Sequence, residues 1–163
     1  MTDAYIALGG NIGDPVSQVR AGIDALAVLP QTRLVRASSL YRSAPVGYLD
    51  QPDFVNAVAH VETALTPRAL LDHLLEIERR HGRVREFANA PRTLDLDIAL
   101  YGELECDEPS LTIPHPRLTQ RAFVLLPLAE IAPDALVAGL GRVRDLAARV
   151  DAAGVKRIAQ EEQ

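Results

Sequence analysis

The chain has 163 residues and a formal net charge of −5 at pH 7, with 48% hydrophobic and 24% charged residues. This is the composition of an ordinary globular protein, and one domain is the expected organisation at this length. The acidic balance argues against general binding of nucleic acid, and no apolar run approaches the roughly 20 residues that cross a bilayer. The single cysteine, Cys106, excludes an intramolecular disulfide. The first residues lack the features of a secretory signal, so we expect a cytoplasmic protein.

Apolar periodicity predicts six elements in the first hundred residues. Strand-like alternation and helix-like spacing follow one another, with N-cap, proline and glycine signals between them. The predicted elements are strands at Ala4 to Leu8, Arg33 to Tyr41, Phe54 to Glu62 and Leu94 to Leu100, and helices from Pro15 to near Pro30 and from Pro67 to near Gly82. Their order, βαββαβ, predicts an α+β fold of the ferredoxin-like type. In that fold two helices cover one face of an antiparallel sheet, and the alternating strands predict that only this face is covered.

The rest of the chain is predicted to add to this core. We expect one domain over residues 1–163, with the ferredoxin-like core at about 4–101 and irregular and helical additions at 102–163. The apolar pattern predicts a short helix around Arg121 to Ile131 and a terminal helix from Val143 to about Val150. No internal repeat or linker divides the chain.

Asp95 and Asp97 are the first residues with a chemical interpretation. They are two apart on a predicted strand, so both carboxylates project from one face about 7 Å apart. Mg²⁺ prefers oxygen ligands and is usually held by one or two carboxylates together with substrate phosphates. The pair therefore favours a two-metal clamp on a polyphosphate. Taken alone, the spacing fits a strand with a solvated outer face equally well.

Arginines are concentrated around this acidic pair although the net charge of the chain is negative. Guanidinium groups bind phosphate oxygens in a bidentate manner, which favours a phosphate site here. The arginines are Arg79, Arg80, Arg83, Arg85 and Arg92 before the strand, and Arg117 and Arg121 after it. Arg79 and Arg80 also fit ordinary charge on a helix surface. His115, in a loop stiffened by prolines, is a further candidate phosphate contact.

The segment Ala90 to Ile98, with the sequence APRTLDLDI, resembles the signature of the 6-hydroxymethyl-7,8-dihydropterin pyrophosphokinase family. The similarity extends over about residues 4–134 and includes the segments SLYR at 39–42, DQPDF at 50–54, GRVR at 82–85 and IPH at 113–115. The resemblance implies a ferredoxin-like core, ATP as co-substrate, two Mg²⁺ ions, a reduced pterin alcohol as acceptor and a place in folate synthesis.

The resemblance also implies roles for individual residues. Asp95 and Asp97 would bind both Mg²⁺ ions, and they would act in catalysis together with Arg83 and Arg92. The nucleotide contacts would be Glu78, Arg83, Arg85, Arg92, Ile98, Leu111, Thr112, His115 and Arg121. The pterin pocket would comprise Ser43, Ala44, Val46, Phe54, Asn56, Asp95 and Phe123. Asn56 would hydrogen bond to the heterocycle, and the two phenylalanines would enclose its faces.

The chain departs from the family pattern at three places. Phe87 to Ala90 replaces a loop, longer by one residue, that often carries an Arg-Trp pair. Ser110 and Pro116 stand where an arginine and a tyrosine are common, so part of the contact with the triphosphate is expected to be redistributed. Phe54 stands where tyrosine is common, which preserves stacking and removes a hydroxyl group.

These observations lead to the hypothesis of in-line attack by the pterin hydroxyl on the β-phosphorus of ATP, with AMP leaving. ATP and the reduced pterin would be the partners, with no nucleic acid or membrane, and the protein would act as a monomer. Three alternatives remain open: a nucleotidyltransferase that releases diphosphate, an RNA-binding module on the sheet, and a ligand-sensing domain without catalysis.

Overall fold

A computed structural model of the protein describes residues 1–45, 47–82 and 93–158. Over these ranges the chain forms four α-helices, one 3₁₀ turn at Leu118–Gln120 and ten strands. The helices are α1 (Pro15–Ala27), α2 (Pro67–Arg80), α3 (Ala122–Ile131) and α4 (Val143–Arg149). The strands are β1 (Thr2–Gly10), β2 (Thr32–Ala37), β3 (Tyr41–Ser43), β4 (Phe54–Thr63), β5 (Asp95–Tyr101), β6 (Cys106–Glu108), β7 (Leu111–Ile113), β8 (Leu136–Val137), β9 (Gly141–Arg142) and β10 (Val155–Arg157). The mixed α and β composition predicted from the sequence is confirmed.

Six strands form one antiparallel sheet in the order β10, β3, β4, β1, β5, with β2 also pairing with β4. β1 pairs along its whole length with β4, and on its other side it pairs with β5. Gly9 near the end of β1 lies opposite Asn56 on β4 and opposite Asp95 on β5. These three residues therefore form one row across the sheet.

Local sequence signals account for the starts of α1 and α2. The Asp14 carboxylate accepts a hydrogen bond from the Ser17 backbone N–H at 3.3 Å, and Thr66 Oγ1 accepts one from the Ala69 N–H at 3.2 Å. Each cap is followed by a proline, which has no N–H that the first helical turn would leave unpaired. Gly82 follows the end of α2 with a φ of +74°, a conformation that favours glycine. The predicted helices are confirmed.

Both faces of the sheet are covered, so the prediction of one uncovered face was wrong. α1 and α2 pack on the face that carries Ile6 and Leu8. α3 and α4 pack on the opposite face, where Val58 and Leu100 meet apolar residues of α3 such as Leu125. The alternation in the strands does not reveal this second layer, because small and polar residues share that face with the apolar ones.

One predicted strand is divided in two, and one strand of the sheet was not predicted. The predicted strand from Arg33 to Tyr41 is divided into β2 and β3 by an interruption at Ser38. The Ser38 hydroxyl accepts a hydrogen bond from the Val58 N–H at 2.9 Å, so a side-chain oxygen replaces a backbone carbonyl as the acceptor at this point of the sheet. The predicted helix from Val143 to about Val150 is present as α4, and after it the chain adds a strand that was not predicted, β10, to the sheet beside β3. Among the described residues, no helix has both the length and the apolar character needed to cross a membrane.

Candidate functional site

A cavity of about 230 Å³ opens on the sheet face that α3 covers, where β1 ends and β5 begins. Four strands and the start of α3 contribute to its walls. The lining residues are Ala7, Leu8, Gly9, Ser43, Ala44, Phe54, Asn56, Asp95, Asp97, Arg117, Gln120, Arg121, Phe123 and Val124. Eight of the residues to which the family resemblance gives site roles are thus brought together: Ser43, Ala44, Phe54, Asn56, Asp95, Asp97, Arg121 and Phe123.

One wall of the cavity presents a fixed amide group. Asn56 is 5% exposed, and its Nδ2 donates a hydrogen bond to Ser43 Oγ at 2.6 Å. This bond turns Asn56 Oδ1 toward Gly9, where an added Cβ atom would lie 2.9 Å from that oxygen. The absence of a side chain at Gly9 leaves room for the amide. The arrangement presents a hydrogen-bond acceptor at the cavity wall.

The two carboxylates of β5 also line the cavity, on the other side of β1 from Asn56. Asp95 and Asp97 are half-buried and line the cavity, while Leu96 between them is buried in the core on the other side of the sheet. The described parts of the chain contain no group of three or more His, Cys, Asp or Glu side chains placed to hold a metal ion. Two carboxylates facing an open cavity fit Mg²⁺, which takes its remaining ligands from phosphates and water.

Two arginine side chains from the segment before α3 give the cavity positive charge. Arg117 and Arg121 both line it, and the Arg121 guanidinium lies 5.6 Å from the centre of the Phe123 ring. Phe54 and Phe123 are half-buried and both line the cavity. The first turn of α3 also belongs to the wall, and the positive end of its dipole favours anions there. The cavity therefore combines two carboxylates, two guanidinium groups and two aromatic rings.

His115 lies beside this charged cluster as a neutral ring. Burial, followed by repulsion from the Arg121 guanidinium, lowers the pKa of His115 to about 4, although Asp95 acts in the opposite direction. Its Nδ1 accepts a hydrogen bond from the Arg117 backbone N–H at 3.1 Å. The proton of the neutral ring is therefore on Nε2, which can donate a hydrogen bond to an anion.

A buried side chain connects two segments at the rim of the cavity. Asn11, which is 3% exposed, donates hydrogen bonds from Nδ2 to Gln51 Oε1 at 2.8 Å and to the Pro52 carbonyl oxygen at 2.9 Å. Asn11 follows β1, and Gln51 and Pro52 precede Phe54. The two segments next to the cavity are thus held together by one amide.

Other predicted site residues lie away from this cavity. Ile98 and Leu111 are buried in the core on the α1 and α2 side, and Thr112 lies on the β6–β7 hairpin. Glu78, on α2, accepts a hydrogen bond from the backbone N–H of Leu96. Val46, Arg83, Arg85 and Arg92 lie outside the described residues, as does the Phe87 to Ala90 loop.

The sequence interpretation missed several residues that line the cavity: Ala7, Leu8, Gly9, Gln120 and Val124. Arg117 was noted only as part of the arginine concentration. Gly9 could have been found from its place at the end of β1, opposite a polar residue of β4, once the strand pairing was assumed. Gln120 and Val124 carried no signal, because only the packing of α3 on the sheet brings them to the cavity.

Comparison with known proteins gives one consistent family. The model of the family described as 7,8-dihydro-6-hydroxymethylpterin-pyrophosphokinase matches residues 5–133. The chain is 48% identical over 154 residues to the 2-amino-4-hydroxy-6-hydroxymethyldihydropteridine pyrophosphokinase of Pseudomonas aeruginosa, covering 94% of this chain and 95% of that protein. It is 52% identical over 134 residues to the protein of the same name from Haemophilus influenzae, covering 82% and 84% of the two chains.

The fold also has a counterpart among solved structures. A crystal structure of wild-type Plasmodium falciparum HPPK-DHPS aligns with a TM-score of 0.68 at 15% identity. The alignment covers 91% of this chain and 43% of that one, so this chain spans less than half the length of the Plasmodium protein. At this identity the likeness concerns the fold alone.

Proposed function

The chain belongs to the 7,8-dihydro-6-hydroxymethylpterin-pyrophosphokinase family, and on that premise we propose its reaction. It transfers the terminal diphosphate of ATP to the hydroxymethyl group of 6-hydroxymethyl-7,8-dihydropterin and releases AMP, a step of folate synthesis. The observation that carries the proposal is the cavity that Asp95 and Asp97 line together with Asn56, Phe54 and Phe123. Carboxylates for a metal–phosphate complex and a polar, aromatic binding wall meet in one site.

The pterin ring occupies the part of the cavity between the two phenylalanines. A flat heterocycle with polar edges is well held by stacking on aromatic faces together with a few hydrogen bonds in its plane. Asn56 Oδ1 accepts a hydrogen bond from a ring N–H, because its amide is held by the 2.6 Å bond to Ser43. This orientation directs the hydroxymethyl group toward Asp95 and Asp97.

The phosphates of ATP lie between the carboxylates and the cations. Asp95 and Asp97 would hold two Mg²⁺ ions, which when bound neutralise charge on the phosphate oxygens. Arg121 and Arg117 donate to phosphate oxygens from the other side, and neutral His115 donates through Nε2. The nucleoside lies outside the cavity, along β5 toward the β6–β7 hairpin, near Ile98, Leu111 and Thr112. The proposal also includes contacts of three further arginines with the nucleotide or its phosphates: Arg83, Arg85 and Arg92. It places Val46 beside the pterin.

The chain contributes to the reaction mainly by positioning. The pterin hydroxyl oxygen forms a bond to the β-phosphorus, the bond from that phosphorus to the bridging oxygen of AMP breaks, and the hydroxyl proton passes to solvent. His115 does not serve as the base, because Nδ1 accepts the Arg117 N–H and Nε2 carries the proton. A loose transition state for phosphoryl transfer needs little proton abstraction before bond formation, so orientation and charge neutralisation are sufficient.

We also propose a domain organisation, an oligomeric state and a cellular location for the protein. Two βαβ halves around the β1–β4 pair support a ferredoxin-like core at about residues 4–101, with additions at 102–163, in one domain. We propose that the protein acts as a monomer. A reaction that consumes ATP fits the cytoplasm.

Product analysis tests the proposed function. The protein is incubated with ATP, Mg²⁺ and 6-hydroxymethyl-7,8-dihydropterin, and nucleotides and pterins are separated by chromatography. We expect equal amounts of AMP and a pterin diphosphate ester, because the attacked atom is the β-phosphorus. ADP as the main nucleotide product would contradict the proposal. Release of free diphosphate with AMP attached to the pterin would favour the nucleotidyltransferase alternative.

A further inference from the structure

Glu78 is a buried carboxylate in the last turn of α2. It is 6% exposed, whereas Glu76 on the same helix pairs with Arg79 and Arg80 at the surface. Burial disfavours a carboxylate, and the negative end of the helix dipole at this turn disfavours it further. A buried carboxylate needs hydrogen-bond or ionic partners that compensate for the loss of water. One of these partners indicates the role of Glu78.

That partner is the backbone of the strand that carries the two aspartates. Glu78 Oε2 accepts a hydrogen bond from the Leu96 N–H at 2.7 Å, and the bond is buried. Leu96 is the residue between Asp95 and Asp97. Within the described sheet, β5 is the outer strand on this side and pairs with β1 alone. The side chain of Glu78 therefore supports β5 at the residue between the two carboxylates.

We propose that Glu78 is a positioning residue that fixes the directions of Asp95 and Asp97 through the Leu96 backbone. Successive strand residues project to opposite faces, so a rotation of the peptide at Leu96 changes the directions of both neighbouring side chains together. A pair of carboxylates that must share metal ions is sensitive to such a change. This inference rests on the proposed function, and it gives Glu78 a different role from the nucleoside contact that the family resemblance implies.

Two variants of Glu78 separate the effect of side-chain length from the effect of charge. Glu78→Gln keeps an acceptor oxygen at the same distance but removes the charge, and Glu78→Asp keeps the charge but is one methylene too short. Glu76→Gln and Glu76→Asp are the matched controls on the exposed side of α2. Binding of Mn²⁺ to each protein is measured by electron paramagnetic resonance with a non-hydrolysable ATP analogue. Exchange of the Leu96 amide hydrogen is measured by NMR in the metal-free protein.

The Asp variant should bind Mn²⁺ about 10- to 100-fold more weakly, the effect typical of removing a group that orients metal ligands. Its Leu96 amide should also exchange faster. The Gln variant and both Glu76 variants should stay close to wild type in both measurements. A Gln variant that binds metal as weakly as the Asp variant, or that does not fold, would overturn the proposal, because the charge would then be what matters. Unchanged metal affinity in the Asp variant would overturn it as well.

The outcomes for this inference and for the proposed function are distinguishable. A wild-type protein that makes AMP and the pterin diphosphate ester, combined with normal Mn²⁺ binding by the Asp variant, rejects the role of Glu78 and leaves the reaction intact. A wild-type protein that binds Mn²⁺ with the predicted dependence on Glu78, but forms no AMP, rejects the reaction and leaves the role of Glu78 intact. Weaker binding of the nucleotide analogue by both Glu78 variants, with unchanged Mn²⁺ affinity, supports the nucleoside contact instead.

Discussion

Gly9 lies beside the Asn56 amide in the cavity where we propose that the pterin binds. It lies between Asn56 and Asp95 in the sheet register, and a Cβ atom added at this position would be 2.9 Å from Asn56 Oδ1. Such a contact is too short for a carbon and an oxygen, so either the methyl group or the amide must move. The amide cannot move without breaking its bond to Ser43.

Replacing Gly9 with alanine should weaken pterin binding without unfolding the protein. The strand conformation of Gly9 is open to alanine, but the displaced Asn56 amide loses one hydrogen bond to the ligand. We expect KM for the pterin to rise about 10-fold, the ratio that corresponds to a lost hydrogen bond of roughly 1.4 kcal/mol. KM for ATP is the internal control and should stay close to wild type. Equal pterin affinity in the two proteins would show that Asn56 Oδ1 does not contact the ring.

At the scale of elements, Glu130 connects α3 to the edge of the sheet. Its carboxylate accepts hydrogen bonds from the Ser39 N–H at 3.0 Å and from the Tyr41 hydroxyl at 2.8 Å, and it lies 3.6 Å from Arg157 of β10. Burial, together with the bond to Glu130, raises the pKa of Tyr41. One side chain thus joins α3, β3 and β10, and β3 carries Ser43 into the cavity.

Replacing Glu130 with alanine should lower the free energy of unfolding by about 2 kcal/mol, because the buried Tyr41 hydroxyl loses a charged acceptor. Unfolding in urea measures the change. Glu62→Ala is the control: Glu62 forms an exposed ion pair with Arg33, and its loss should cost about 0 to 1 kcal/mol. If both variants lose the same free energy, the contacts of Glu130 contribute no more than a surface pair.

The sequence predicts elements well where the determining signal is local. Asp14 with Pro15 and Thr66 with Pro67 determine two helix starts through contacts within three residues, and both predictions are confirmed. The break at Ser38 could not be predicted in this way, because the Ser38 hydroxyl accepts its hydrogen bond from the N–H of Val58, twenty residues later in the chain. β10 was missed for the same reason, since it exists only through pairing with β3.

At the scale of the whole molecule, the site depends on both layers of helices. The period of two in β5 predicts that Asp95 and Asp97 share a face, and the structure places both on the cavity wall. What covers that face was not predicted. α3 brings Arg121 and Phe123 over the sheet, and the segment before it brings Arg117, through long-range packing that no local pattern encodes.

The central claim is that Asp95 and Asp97 act together as ligands of the metal–ATP complex. Replacing either with asparagine keeps the size of the side chain and one oxygen, but removes the negative charge that offsets a divalent ion. The decisive measurement is turnover as a function of Mg²⁺ concentration for the two variants, with the exposed Asp24→Asn of α1 as control. We expect turnover to fall at least about 100-fold in each variant, because several kcal/mol of charge stabilisation are lost from the transition state. Normal turnover of both variants at ordinary Mg²⁺ concentrations would contradict the account and leave these carboxylates as part of a solvated strand face.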